Sequence, residues 1–478
     1  MSETDADPPR KRTPIPKMQL FILLAIQFAE PIAALVIYPF VVQFVRDTGI
    51  TKGDETKIGF YAGMLESSFF LAESVTVFQF GRLSDVYGRR PVLLFAPLGL
   101  ALSMFGFGLS SNYWSMLGWR CLQGVWNGNT GVTKTAMNEI SDPSNIADMF
   151  SFLPLMWSTG VTLGPALGGI LVNPATKWPN SPLGRIQLLK TYPYFLPCAV
   201  AGLIALAAFI LAWVGLKETL PSALTRQSKG SPPTETSPLL PSATDPEDIR
   251  LPVRQLLTRP VVITFVNHGF LTFCEMSYAA LLPIVYATPI QHGGLGLSPY
   301  AIGLLMGSTG MLNAVIQATL GGRVIRYFGA RTMFTTGFVA ITAAILFYPI
   351  LNFLARRQGA VDWAVGLAIA GQLSCSVFTY FAFSVTSLFI LAASPNRANV
   401  GAVSGISGTV GTAMRAVAPT VASSLFALSV KHQWLSGSAG FLLLASLSII
   451  AVRLTRMLPK EPGGDVKKPA PAPVAASG

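Results

Sequence analysis

Charged side chains are scarce in this chain. Only 12% of its 478 residues are charged, whereas 51% are hydrophobic, and a soluble globular protein carries about 25% charged residues. So few charges cannot cover a water-facing surface of this size, which excludes a soluble globular protein. The apolar residues also occur in blocks of about 20, the length that crosses a hydrocarbon core of roughly 30 Å as a helix. The sequence therefore predicts an integral membrane protein.

Cysteine is also rare, with four residues in the whole chain. All four lie inside apolar blocks, without the C-x-x-C spacing of a zinc site or the paired extracellular placement of a disulfide. We therefore expect no metal site and interpret the cysteines as small core residues. They are Cys121, Cys198, Cys274 and Cys375.

A nucleotide-binding loop is missing as well. No G-x-x-x-x-G-K-S/T stretch occurs in the sequence, and that loop is what cradles the phosphates of ATP. No nucleophile and base stand at a recognisable spacing either. We therefore expect neither an enzyme nor a cofactor, and we expect that ATP hydrolysis does not drive this protein.

Twelve apolar blocks have the length of transmembrane helices, and we predict an all-α membrane protein of twelve such helices. The first block is too long for the core of a signal peptide and no small-residue cleavage site follows it, so we expect it to be retained as helix 1. The predicted helices cover 18–44, 58–80, 91–110, 113–137, 147–172, 193–216, 261–286, 300–320, 332–354, 363–391, 400–430 and 437–454.

Lys and Arg are distributed unevenly between the two ends of these helices. With both termini in the cytoplasm, the tails and the even-numbered loops hold 23 of the 34 basic residues and the opposite loops hold 9. This is the positive-inside pattern. We therefore expect both termini in the cytoplasm, and we expect the net charge of +12 to face anionic lipid head groups and not nucleic acid.

An internal repeat indicates two halves. The stretch GRLSDVYGRR at 81–90 recurs as GRVIRYFGAR at 322–331, each time after the second helix of its half. Two parallel six-helix repeats are typical of one large class of transporters. Between them the chain becomes rich in Ser, Pro and Thr, a composition that cannot bury enough apolar surface to fold alone. We predict six-helix bundles at 18–216 and 260–455, a cytoplasmic disordered linker at 217–259, and cytoplasmic tails at 1–17 and 456–478.

Three motifs resemble signatures of the major facilitator superfamily. Residues 81–90 match its loop 2–3 signature, Gly-x-Leu-x-Asp-x-x-Gly-Arg-Arg, at every fixed position. Arg-x-x-Gln-Gly at 120–124 in helix 4 is similar to the motif of proton-coupled members. Gly-x-x-x-Gly-Pro-x-x-Gly-Gly at 160–169 in helix 5 is similar to the antiporter motif of twelve-span drug:proton exchangers, the branch of the tetracycline-resistance transporters. One further glycine of that motif is Ser151 here.

A finer resemblance is to fungal and plant proteins related to the zinc-induced facilitator-like group. It rests on AEPI at 29–32, on GRLSD at 81–85 and on GGLG at 293–296. The loop 2–3 motif consists of Gly81, Asp85, Gly88, Arg89 and Arg90, and the helix 5 motif of Gly160, Gly164, Pro165, Gly168 and Gly169.

The resemblance implies a mechanism. In the family, the acid of the loop 2–3 motif, here Asp85, latches one half against the start of helix 11 in the outward-facing state, and Arg397 is our hypothesised partner. The alternative is that Asp85 only balances neighbouring charge. The helix 5 motif implies a seam between helices 5 and 8 that joins the halves and limits leak.

The glycines also have a physical interpretation of their own. Gly81 and Gly88 permit a tight turn between two helices. In helix 5, the glycines four residues apart share one face and let a neighbouring backbone approach closely, while Pro165 favours a bend. The same spacing recurs in helices 8 and 11, at Gly303, Gly307, Gly401 and Gly405.

Helix 4 carries a polar stripe. Five polar residues follow one another at spacings of three and four, which places them on one face of the helix. Lipid contact would be costly for such a face, so we expect it to line a central cavity. The five residues are Arg120, Gln123, Asn127, Thr130 and Lys134.

Titratable residues inside other helices suggest how a proton is carried. They are Glu30 in helix 1, Glu66 and Glu73 in helix 2, and His268 and Glu275 in helix 7. An apolar surrounding favours a neutral carboxyl, whereas a nearby arginine favours the carboxylate. A carboxyl that alternates between these surroundings loads and releases a proton. We therefore hypothesise that Glu30 or Glu73 carries the coupled proton and that Arg120 tunes it.

These side chains also have structural interpretations. The acids would form static ion pairs that fix helix packing, and His268 would be a hydrogen-bonded structural histidine. Arg415 in helix 11 either neutralises an acid or binds an anionic substrate, and the sequence leaves both open.

The patterns together favour a secondary active transporter, namely a monomeric proton-coupled antiporter that exports or sequesters a small organic molecule, with protons and membrane lipids as further partners. An uptake symporter or facilitator is an alternative with the same fold. A non-transporting receptor or scaffold is an alternative of another class, although it has no need for acids inside the bilayer. The linker carries ETSPLL at 235–240, similar to an acidic dileucine sorting signal, so the plasma membrane and the vacuolar membrane are both expected locations.

Overall fold

The computed structural model describes residues 15–141, 145, 149, 152–220, 253–395 and 399–459. Every regular element in this part of the chain is a helix. Nine of the described helices are long and apolar enough to cross a membrane, and three further helices complete the predicted twelve.

Six helices form each half. The first half contains α1 (Lys17–Leu35, continued by Val41–Asp47), α2 (Ile58–Tyr87), α3 (Arg89–Gly108), α4 (Tyr113–Asn127, continued by Thr130–Glu139), α5 (Phe152–Leu171) and α6 (Phe195–Gly215). The second half contains α7 (Arg259–Ala287), α8 (Pro299–Phe328), α9 (Ala330–Gln358), α10 (Trp363–Ala393), α11 (Val400–Lys431) and α12 (Ala439–Leu454).

Polar residues distinguish two of the three further helices. Helix α2 carries two buried glutamates, and α4 is interrupted and carries a buried arginine. Because polar groups inside a membrane must face protein or water, these residues indicate helices of the interior.

Two predicted helices are interrupted. The predicted helix 1 turns at 36–40 before continuing, since Pro39 has no N–H to donate and disfavours helical geometry in the residue before it. Helix α4 pauses at Gly128 and Asn129. There the Thr76 hydroxyl of α2 donates to the carbonyl of Val125 at 3.2 Å, which accepts a second hydrogen bond where the helix ladder is interrupted.

The loop 2–3 motif is mostly helical, so the prediction that Gly81 helps to form a turn is wrong. Helix α2 runs through Gly81 and ends only at Gly88, whose φ of 105° is accessible to glycine and strained for other residues. The repeat behaves identically, because α8 ends at Gly329 with a φ of 81°. Helical geometry continues past the apolar block because polar residues end the lipid-facing pattern without breaking the helix.

The two halves meet along a seam between α5 and α8. A Cβ added to Gly303 would lie 2.6 Å from the Cα of Gly169, and one added to Gly307 would lie 2.8 Å from the Cβ of Ala166. Real side chains do not approach backbone this closely, so glycine permits the contact. The predicted seam between helices 5 and 8 is present, with the predicted glycines of α8 in it.

The other glycines of α5 face a different helix. Gly160 and Gly164 pack against Pro31 and Leu35 of α1, and Gly168 against the carbonyl of Val36. The repeated face of the antiporter motif therefore packs within its own half, and the adjacent Gly169 faces the other half.

A second seam joins α2 and α11. The Thr420 N–H donates to the Ser67 hydroxyl at 3.0 Å, and the Thr420 hydroxyl donates to the carbonyl of Gly63 at 3.4 Å. The backbone of α2 approaches Ser423 closely at Gly63. Hydrogen bonds between two halves specify one arrangement more sharply than apolar packing alone.

Both seams lie toward one end of the helix bundle, opposite the end at which α1 begins and α12 ends. We call that latter side the terminus side. Gly405 and Gly408 of α11 lie on the terminus side. A Cβ added to either glycine would have no neighbouring atom within 4 Å in the described part of the chain, so the close packing expected at Gly405 is absent. The molecule is therefore closed on the opposite side and open toward the terminus side.

Candidate functional site

A group of polar and charged side chains lies between the two halves, and Glu30 of α1 is one of them. Its side chain is 3% exposed, and one carboxyl oxygen accepts hydrogen bonds from Gln27 at 2.5 Å and from the Thr130 hydroxyl at 3.0 Å. The other oxygen is buried and has no hydrogen-bond partner in the described part of the chain. One turn after Thr130, the Lys134 ammonium is close enough to interact with the charge of Glu30.

Glu73 of α2 lies next in this site. It stands beside Asn127 of α4, and its charge interacts with those of Lys134 and Arg415. Glu73 also lies within electrostatic range of Glu30. Two acids and one cation from the first half thus face the same space as a cation from the second half.

Arg415 of α11 is the central cation of the second half. Its guanidinium lies over the ring of Trp157 of α5, 5.3 Å from the ring centroid, and this cation–π contact crosses between the halves. His268 and Glu275 of α7 both lie within range of its charge. The predicted pair on α7 therefore faces the same space as Arg415.

Arg120 occupies a separate, sealed position. It is fully buried and donates to the carbonyl of Ala34 at 2.7 Å and to the Gln123 side chain at 2.8 Å. Its guanidinium also lies 4.5 Å from the ring centroid of Phe69. The first part of the α4 stripe, from Arg120 to Asn127, is therefore buried in protein, and only Thr130 and Lys134 are accessible from the open space.

The hypothesis that Arg120 tunes Glu30 or Glu73 does not fit this arrangement. The acid within range of Arg120 is Glu66, both of whose carboxyl oxygens are buried without a hydrogen-bond partner among the described residues. The buried Tyr38 hydroxyl stands near both groups. Spacing along α4 identified the polar face correctly, but the packing of α2 against α4 places Glu66, and not Glu73, near Arg120.

The described residues of the site contain no direct ion pair. The salt bridges in the described chain lie elsewhere, in loop 1–2 and around Arg89. Static ion pairs are thus not what holds Glu30, Glu73, Glu275, Lys134 or Arg415 in place. The Nδ1 atom of His268 is likewise buried without a partner in the described chain, which does not fit a fully hydrogen-bonded structural histidine.

The loop 2–3 motif forms a network within the first half. Arg89 binds Asp85 at 2.6 Å and Glu139 of α4 at 3.0 Å. The carboxylate of Glu218, after α6, accepts from the N–H groups of Arg89 at 2.8 Å and Arg90 at 3.1 Å and so caps the start of α3. The proposed partner Arg397 lies outside the described residues, as do Ser151 and the stretch 235–240, so the latch stays a prediction.

Sequence reasoning missed the aromatic members of the site. Trp157 contacts Arg415, Tyr38 stands near Glu66, and Tyr380 of α10 stands near Glu275. Aromatic residues in apolar helices look like core residues, and only the position of Trp157 one turn before Gly160 distinguished it.

A model of the Major Facilitator Superfamily matches residues 23–419 of this sequence. The chain belongs to the major facilitator superfamily. The match covers most of both halves, so the family predicted from the three motifs is confirmed.

Relatives of this major facilitator include fungal and plant proteins. It is 31% identical to the major facilitator-type transporter psiT2 of Psilocybe cyanescens, over 92% of this chain and 90% of the relative. It is 28% identical to the efflux pump azaK of Aspergillus niger, over 93% and 88%. It is also 28% identical to the protein ZINC INDUCED FACILITATOR 1 of Arabidopsis thaliana, over 93% and 92%, as the finer resemblance predicted.

Solved structures share the fold of this major facilitator. A crystal structure of a D-xylose-proton symporter superposes with a TM-score of 0.70 at 14% identity, covering 94% of this chain and 99% of the other. At that identity the likeness concerns the fold alone. This chain is thus a multi-pass membrane transporter of the superfamily, not an enzyme, and its substrate is a small molecule.

Proposed function

We propose that this protein is a proton-coupled antiporter that exports or sequesters a small organic molecule by alternating access. The observation that carries the proposal is the group of unpaired charged side chains between two halves that are closed on one side only. Charges are costly inside a membrane unless they face water or a partner, and an opening cavity supplies the water.

We propose that the terminus side faces the cytoplasm, as the distribution of Lys and Arg favours. The arrangement described above then opens to the cytoplasm and accepts substrate there. Rocking of the halves about the site would break the seams between α2 and α11 and between α5 and α8 on the far side and release the substrate.

Glu73 is our candidate for the proton carrier. It lies buried within electrostatic range of Glu30, and two neighbouring carboxylates repel each other until a proton neutralises one of them. Arg415 of the other half favours the charged form of Glu73. Because Arg415 and Glu73 belong to different halves, rocking of the halves changes the distance between them and thereby the affinity of Glu73 for a proton. Such differential affinity is what couples a ligand to a conformational change.

Exchange requires proton and substrate to compete. A substrate that binds at the deprotonated carboxylates excludes the proton, and a proton on Glu73 weakens substrate binding. The helix 5 motif and the similarity to an efflux pump support export as the direction.

Reconstitution in liposomes tests the proposal. The full chain is placed in vesicles with an imposed pH gradient and supplied with organic cations, weak acids and zwitterions. An antiporter accumulates substrate when the vesicle interior is acidic. A symporter does so when the exterior is acidic, and a receptor or scaffold does neither. Protein-free vesicles measure the passive trapping of weak bases, and collapse of the gradient by an ionophore must abolish the protein-dependent part.

A further inference from the structure

Two basic side chains of the site lack a carboxylate partner. Within the described residues, neither Lys134 of α4 nor Arg415 of α11 forms an ion pair within 4.0 Å, and Lys134 is exposed to the open space. One belongs to each half of the molecule. Arg415 is held by the ring of Trp157 at 5.3 Å, which leaves its N–H groups free to bind a ligand.

The charges of the two cations also interact with each other. Lys134 and Arg415 lie within range of mutual repulsion, which opposes closure of the halves on the terminus side. An anionic group between them would remove that repulsion and bind both halves at once. A planar guanidinium with a nearby ammonium suits carboxylate or phosphate oxygens.

Every other charged group around this position is relevant to the class of ligand. Lys134 is faced by Glu30 of α1 and Glu73 of α2, and Arg415 by Glu73, His268 and Glu275. A simple anion would meet these carboxylates, and a simple cation would meet the two basic side chains. Only a molecule that carries both charges is attracted by all of them.

We propose that the substrate is a zwitterion, whose carboxylate or phosphate binds between Lys134 and Arg415 and whose basic group binds at Glu73 and Glu30. This inference rests on the proposed function, because the basic group takes the place of the exchanged proton. The anionic group of the substrate would bind Lys134 of the first half and Arg415 of the second half at once. Glu30 and Glu73 form no such ion pair across the halves in the described chain.

Binding without a pH gradient tests the zwitterion subsite separately from transport. Affinities for the full chain in nanodiscs are measured with matched probes, namely L-phenylalanine, phenethylamine and 3-phenylpropionate for the carboxylate, and phosphocholine and choline for the phosphate. We expect at least one zwitterion to bind about tenfold or more tightly than its singly charged relatives, as the loss of a hydrogen bond to a charged group implies.

Variants identify the residues. Lys134→Met and Arg415→Met should each weaken zwitterion binding about tenfold and leave phenethylamine or choline binding unchanged or tighter. Lys134→Arg and Arg415→Lys should restore most of the affinity. Lys190→Met, an exposed lysine in the short helix Gln187–Thr191, is the matched control and should change nothing.

Several results would overturn the zwitterion subsite. Equal or tighter binding of the cations, or no binding of any zwitterion, overturns the subsite, and so does equal weakening of all probes in folded variants. If a variant fails to elute as a single folded species, the comparison among probes on the unaltered protein decides alone. Zwitterion binding without gradient-driven flux would overturn the antiporter and leave the subsite standing.

Discussion

Individual side chains of the site combine burial with missing partners. Glu73 faces Lys134 and Arg415 without an ion pair in the described chain, and Glu66 beside Arg120 is buried with neither oxygen hydrogen-bonded. Unpartnered buried groups are costly in a static protein. Their presence is understandable if each has a partner in another state of the cycle, either a proton, a substrate or a repositioned cation.

Glu73→Gln should abolish gradient-driven accumulation, whereas exchange of substrate for substrate should persist with a weaker apparent affinity, because Glu30 still binds the basic group. The amide keeps the shape of the side chain but cannot exchange a proton. Both fluxes are measured in the same vesicles, with labelled substrate. Glu55→Gln, which changes an acid paired with Arg46 in loop 1–2, is the control and should retain gradient-driven flux. Normal pH-driven accumulation by Glu73→Gln would assign the proton to another group.

Arg120→Met should destabilise the protein by about 3 kcal/mol, because it leaves Glu66 buried without its cation. Adding Glu66→Gln should recover part of this loss, since the double variant buries no unpaired charge. Denaturation midpoints in detergent measure both. If the double variant is no more stable than Arg120→Met alone, the two side chains are not coupled.

At the scale of helices, glycine determines how closely the halves approach. Gly303 and Gly169 bring the backbones of α8 and α5 into contact, and Thr420 joins α11 to α2 by two hydrogen bonds. These contacts form the closed end of the site. Because they all lie on one side of the charged groups, breaking them is the motion that alternating access requires.

Gly303→Ala should weaken closure of the seam by about 1–3 kcal/mol, because the added methyl overlaps the α5 backbone. Gly118→Ala is its matched control, since an added Cβ at this exposed glycine of α4 has no neighbour within 4 Å. Transport rate and thermal stability are compared for both. Equal behaviour of the two variants would show that the seam tolerates separation.

Helix periods predicted the twelve helices and the polar face of α4, because both follow from the sequence within one element. They did not predict that Gly160 and Gly168 face α1 while Gly169 faces α8, since the partner of a helical face depends on how whole helices pack. For the same reason, the sequence alone did not show that the acid near Arg120 is Glu66 and not Glu30 or Glu73. The turn at 36–40 in helix 1 was missed because its apolar pattern continues through Pro39.

At the scale of the whole molecule, a further contact crosses the closed end. The Lys177 ammonium donates to the carbonyls of Gly169 at 2.6 Å and Ile170 at 3.2 Å, and it lies 5.0 Å from the ring centroid of Tyr300. It thus caps the end of α5 and contacts the start of α8.

Lys177→Met should shift the molecule toward the state that is open on the opposite side. The substitution removes the cap and the cation–π contact, and it keeps the apolar stem. The reporter is the nearly isosteric Ser423→Cys on the buried α2–α11 seam, in a chain whose four cysteines are changed to alanine, and its modification rate should rise several-fold. Lys190→Met again serves as the control, and equal rates in the two variants would exclude this contact as a determinant of closure.

The most direct test of alternating access is a pair of distances between spin labels. One pair replaces Tyr87 and Tyr327, which are 70% and 83% exposed at the terminus ends of α2 and α8. The other replaces Lys190 and Trp434 on the opposite side, in a chain whose four cysteines are changed to alanine. Bound substrate should shorten the first distance and lengthen the second. Distances that stay fixed in every condition while the protein transports would contradict the rocking of two halves about a charged site.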